Sequence, residues 1–176
     1  MQKVPTARLF PALLLSWFLP ITACDAPQAG DVPTAPRLAR LSGATLIHCP
    51  TSQSKAAERR LLPPGGIVVL DRHEVIVPLG ALRRIADIGI QVPVSRHMRV
   101  DLTVNDQEHW QFHKLVTVTI DYSRCSDEAL GRNPLSVWHI DSRTGELLEE
   151  MGSVDDRLLK QITFVTDHFS GYAIAN

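Results

Sequence analysis

Seven histidines and three cysteines are the residues of this chain whose types most readily do chemistry. His109 and His113, in His109-Trp110-Gln111-Phe112-His113, stand four apart and share a face in either a helix or a strand. His73-Glu74, and His139 with Asp141, place an imidazole near a carboxylate. A zinc site is usually written as two histidines and an acid on one helical face, or as cysteines and histidines at short fixed spacing. None of these groups follows either pattern. The histidines are therefore read as surface or strand-packing residues, and neither a metal nor a cofactor is expected. Trp110, Phe112, Trp138, Phe164 and Phe169 are most simply core residues. No nucleophile elbow with its acid and histidine partners is visible, and no phosphate-binding glycine loop, so a conventional enzyme is not expected.

The cysteines divide by position. Lys3 and Arg8 give the N-terminus a positive charge without any acid, and Leu9 to Leu19 is an apolar run broken by Pro11 and Ser16. That run is too short to span a bilayer but suits the apolar region of a signal peptide. It ends in Ile21-Thr22-Ala23-Cys24, which resembles the lipobox of bacterial lipoproteins. The resemblance implies removal of residues 1–23 and acylation of Cys24. Such a protein is anchored to a membrane in the bacterial cell envelope and faces the periplasm or the exterior. Each buried methylene adds roughly 0.8 kcal/mol, so several acyl chains hold a protein effectively permanently. Asp25 after the cysteine resembles the retention signal of inner-membrane lipoproteins in enterobacteria. With Cys24 used, Cys49 and Cys125 remain as a pair, and an oxidising compartment favours a disulfide between them.

The elements that must position these groups follow from composition and pattern. The length, 176 residues, suits one ordinary domain, and 44% hydrophobic with 21% charged residues rules out wholesale disorder. A formal charge of −1 leaves no basic surplus for a phosphate backbone, so nucleic acid is not an expected partner. Twelve prolines and ten glycines favour many short elements over a helical bundle. Residues 24–43 are rich in Pro and Ala without a period, and read as the lipidated cysteine followed by a flexible linker. Residues 44–176 read as the domain. Short apolar or alternating runs begin near Thr45, Gly66, His73, Ala86, Met98, Leu115, Leu135, Glu146, Ile162 and Tyr172. Asp71-Arg72 separates two of them as in a tight hairpin. The pattern predicts an all-β fold, an antiparallel sandwich of about nine strands. Gln53 to Arg60 and Gly80 to Arg84 are the only pieces expected to be helical.

Two blocks carry a family resemblance. Gly65-Gly66-Ile67-Val68 with His73-Glu74-Val75-Ile76-Val77-Pro78-Leu79-Gly80-Ala81-Leu82 resembles the opening of a ZU5 domain, although Leu79 stands where a second proline is common. Ile162-Thr163-Phe164-Val165-Thr166-Asp167-His168-Phe169-Ser170-Gly171-Tyr172-Ala173 is similar to the closing strand pair of that family. The resemblance implies a β-sandwich that works as a protein-interaction module, with a protein partner that the sequence does not name. His168-Phe169-Ser170 also resembles the self-cleavage site of ZU5–UPA proteins. There a serine hydroxyl attacks the carbonyl before it, assisted by a base, which is His168 or another histidine brought near by the fold. The simpler role for Phe169 is a core plug and for Ser170 a turn hydroxyl bonded to backbone, with Gly171 relaxing the turn. The sequence-based expectation is thus a lipid-anchored, non-catalytic interaction domain. A self-processing domain cut before Ser170 is the first alternative. A carbohydrate- or cell-wall-binding sandwich, signalled by an exposed Trp110 or Trp138, is the second.

Overall fold

The computed structural model describes residues 43–176 and the two-residue strand β1 (Arg37–Leu38). The segment expected to be a signal peptide, Cys24 with its expected lipidation, and the rest of the expected linker lie outside the described residues. Thirteen further strands and one short helix complete the described chain. They are β2 (His48–Thr51), β3 (Lys55–Leu61), β4 (Gly66–Leu70), β5 (His73–Val77), β6 (Ala86–Val92), β7 (Ser95–His97) and β8 (Arg99–Val104). β9 (Trp110–Asp121), α1 (Asp127–Leu130), β10 (Ser136–Ile140), β11 (Leu147–Met151), β12 (Ser153–Asp156), β13 (Gln161–Phe169) and β14 (Gly171–Ala175) follow.

The fold is an all-β, sandwich-like arrangement of antiparallel sheets. One sheet has seven strands in the order β1-β11-β10-β14-β8-β6-β3, and the other has five in the order β12-β13-β9-β5-β4. A third, two-stranded sheet joins β2 to β7. The period-two pattern explains the two large sheets. Val116, Val118 and Ile120 of β9 point inward between threonines, and Val75, Val77, Ile162 and Phe164 extend that face on neighbouring strands. Ile88, Ile90, Val100, Leu102, Val137, Tyr172 and Ile174 supply the facing layer, and all belong to one continuous apolar cluster. Opposite these, Thr119 and Thr163 pair directly across strands, their hydroxyls 3.1 Å apart.

β14 departs from alternation because both of its faces are covered. Trp138, Ile140, Ala173 and Ala175 form a second small cluster on the outer face of the seven-stranded sheet, beneath Ala44, Leu46 and Leu147. Residues 45–47 run beside the end of β14, where the Ile47 amide donates to the Ile174 carbonyl at 3.0 Å.

Three expectations need correction. Gln53 to Arg60 is not helical: β3 pairs with β6 along its whole length, from Lys55 opposite Val92 to Leu61 opposite Ala86. Its Ala, Glu and Arg residues favour a helix intrinsically, but cross-strand pairing overrides a weak propensity. The charges instead mark a sheet edge, and Arg60 grips Asp87 with two hydrogen bonds of 2.8 Å. Gly80 to Arg84 is a turn, with Gly80 at φ +82°, a conformation that glycine adopts without strain. Strand pairing also begins inside the stretch read as linker, since Arg37 and Leu38 pair with Glu150 and Glu149. The helix that does form, α1, is capped by Ser126, whose hydroxyl accepts from the Ala129 amide at 3.3 Å.

Cys49 and Cys125 are bonded, with sulfurs 2.02 Å and Cα atoms 5.1 Å apart. The bridge ties β2 to the loop after β9.

Candidate functional site

Ser170 occupies the point where the chain changes sheets. β13 ends at Phe169 in the five-stranded sheet and β14 begins at Gly171 in the seven-stranded one. A single residue makes the crossing, so its backbone is held from both sides. The Ser170 carbonyl accepts from the Leu102 amide at 3.0 Å, and Phe169 is fully buried, its ring edge-on to Phe112 with centroids 4.6 Å apart. Ser170 itself is 2% exposed.

Its hydroxyl is not bonded to backbone as a turn serine would be. Ser170 Oγ lies 2.9 Å from His139 Nε2. His139 reaches it because alternation along β10 sends Val137 and His139 to the inner face and Trp138 to the outer one. On β10's two neighbours, His139 is paired with Tyr172 on one side and Glu149 on the other. Two register shifts flank the site. Pairing of β10 with β11 slips after His139, and pairing of β13 with β9 slips between Thr166 and His168. Bulges of this kind re-aim side chains. The second brings His168 back toward His139, with ring centroids 5.0 Å apart.

The electrostatics favour the neutral form of His139. Burial lowers its pKa below the ordinary histidine value, and the nearby His168 and His109 add to the effect. His168 is held by Asp167, whose carboxylate lies 3.0 Å from Nδ1, and that contact lowers the pKa of Asp167. The His168 carbonyl accepts from both Tyr172 and Thr166 hydroxyls. Burial raises the pKa of Tyr172, which keeps it a donor. The peptide two residues before Ser170 is thus pinned.

Gly171 does not relax a turn. It lies in β14, paired with Asp101 and Ile140, and a Cβ there would sit 2.4 Å from Ser142 Oγ and 3.1 Å from Asp101 Oδ1. The glycine is required by close packing against the outer layer, not by its backbone angles.

The other sequence candidates fall elsewhere. His109 and His113 are exposed and form no cluster with each other. His73 is buried, and its Nδ1 accepts from the Asp121 amide at 3.1 Å, a structural bond. Asp141 does not join His139: it accepts from the Arg143 and Thr144 amides and closes a turn. Trp138 is 3% exposed and Trp110 is half-buried beneath Arg84, so neither offers an open aromatic platform. Glu149 escaped sequence reading, since only the register of β11 on β10 places it beside His139. No family model matches the chain, and no curated protein matches it.

Proposed function

We propose that this sandwich is a self-processing domain that hydrolyses its own Phe169–Ser170 peptide bond while tethered to a membrane through Cys24. The observation that carries the reading is the 2.9 Å contact between His139 Nε2 and Ser170 Oγ at the sheet crossing. It supplies the ZU5-like His-Phe-Ser segment with a neutral base from another strand. Ser170 Oγ attacks the Phe169 carbonyl carbon as its proton passes to His139 Nε2. The carbon–nitrogen bond then breaks, His139 returns the proton to the Ser170 nitrogen, and an ester joins Phe169 to the Ser170 oxygen. Water opens the ester and leaves a Phe169 carboxylate and a Ser170 amine. Phe169 in its core socket and the pinned His168 carbonyl hold the reacting peptide against motion.

After the cut, β14 stays between its neighbours, because Ser136 to Ile140 and Arg99 to Asp101 still pair with it. The expected result is a nicked sandwich whose piece beginning at Ser170 separates only on denaturation. Intact mass under denaturing conditions checks this: the wild type should lose residues 170–176, and Ser170→Ala should run as one uncut chain. A wild type of full mass would refute self-processing. It would leave the non-catalytic interaction module, a reading supported by the outer face of the five-stranded sheet. There Ile67, Val69 and Ile76 are 41%, 52% and 37% exposed on adjacent strands.

Processing should also follow pH. The titratable groups around His139 are His168, Glu149, Tyr172 and His109, with Asp167 behind His168. His139 acts only when neutral, and its pKa is depressed. The rate should therefore be flat at neutral pH and fall on the acid side, with a midpoint below the free-histidine value of about 6.5. Cell-free product incubated across pH and read by mass would show it. A midpoint above that value would remove His139 as the base.

A further inference from the structure

We propose that His139, Glu149 and His168 form a binding site for a divalent transition-metal ion of the zinc class. One donor atom from each residue lies within 4.8 Å of the others, and all three residues are half-buried. They come from β10, β11 and β13, so the set exists only because the two sheets meet at this rim.

Three features point to this class of ion. Two imidazoles and one carboxylate are the donors of open zinc sites, whereas magnesium and calcium prefer oxygen alone. Asp167 bonds Nδ1 of His168 at 3.0 Å. A carboxylate on Nδ1 fixes the tautomer that leaves a lone pair on Nε2, the outer-shell contact that orients metal-bound histidines. The required adjustment is also small. Bonds of about 2.0–2.1 Å in a tetrahedral site set donors roughly 3.3 Å apart, so the three must close by up to about 1.5 Å. Glu149 and His168 are partly solvent-facing and have room to do so.

The site overlaps the one already described. A neutral imidazole has one lone pair, so His139 serves either the ion or the Ser170 hydroxyl. Metal binding would therefore stop processing. This consequence rests on the self-processing reading, but binding itself does not.

The test uses the full chain carrying Ser170→Ala, purified in detergent, so that no cut intervenes. Titration with Co²⁺, followed by visible absorption, and with Zn²⁺, followed by calorimetry, should each show one equivalent bound. His168→Ala and Glu149→Gln should abolish that binding, and Asp167→Asn should weaken it about tenfold. His113→Ala, at an exposed histidine outside the cluster, should leave it unchanged. Circular dichroism checks that each variant is folded. No binding by the folded Ser170→Ala chain, or binding that survives both His168→Ala and Glu149→Gln, would overturn the proposal. Saturating Zn²⁺ should leave wild-type chain uncut. Binding by Ser170→Ala with a wild type that never cuts would sink self-processing and keep the metal site. Cutting without binding would do the reverse.

Discussion

Replacing Phe169 with alanine is expected to cost about 3–5 kcal/mol of folding free energy. The ring is 0% exposed and packs edge-to-face on Phe112, itself in the main apolar cluster. Truncation removes the transfer free energy of the ring and leaves a cavity between two sheets that cannot collapse, because β13 and β14 are paired on both sides of it. A typical domain is held by roughly 5–15 kcal/mol, so the loss takes a large share. Ser170→Ala, one residue on, removes a single hydrogen bond of 2.9 Å and should cost only about 1 kcal/mol. Urea denaturation of the two variants separates the roles. Phe169→Ala should shift the midpoint far with little change in slope, while Ser170→Ala should fold nearly as well as wild type and stay uncut. A loss below about 1 kcal/mol for Phe169→Ala would mean that the socket repacks, and that the ring does not fix the peptide before Ser170.

What the sequence made legible was whatever depends on neighbours in the chain. The alternation of Val116, Val118 and Ile120 against threonines named both faces of β9 before any pairing was known. Asp71-Arg72 marked the β4–β5 turn, and Asp71 does take a positive φ of 54°. Gly65, at φ +87°, has room for no side chain, since a Cβ there would lie 2.1 Å from the Val77 carbonyl oxygen. Two edge strands were lost, β3 and β12, because they are shaped by their partners and not by an apolar period of their own, whereas β4, an edge with an apolar run, was legible. The site was half legible. Ser170, Phe169 and His168 stand together in sequence, but the imidazole in contact with the Ser170 hydroxyl is that of His139, thirty-one positions earlier. Its choice follows from the strand order β11-β10-β14 and from two register shifts. No local pattern encodes these, so seven histidines offered no means of selecting one.

Removing the Cys49–Cys125 bridge is expected to cost about 4 kcal/mol, since in the chain-entropy model a closed loop of this size restricts the unfolded chain by that much. The two cysteines are 76 positions apart and both are buried. The bridge has little backbone to help it locally: β2 pairs only with β7, at His48–His97 and Thr51–Ser95, around a register shift. Cys49 is also two residues from Ile47, which lies in the main core and donates to Ile174 at the end of β14. Loosening Cys49 therefore loosens the segment that flanks β14 where β8 no longer does, since β8 pairs only as far as Ala173. Cys49→Ala with Cys125→Ala should lower the thermal midpoint by on the order of 10 °C, an effect reproduced in wild type by reductant. Alkylation without reductant should label neither cysteine in the denatured wild type. In a nicked sandwich the same variant should also shed residues 170–176 at a lower urea concentration than the bridged protein. A bridge that acted only on the unfolded chain would lower global stability yet leave the retention of that strand, measured below the unfolding transition, unchanged. Earlier release there would show that the disulfide also holds the native edge beside β14.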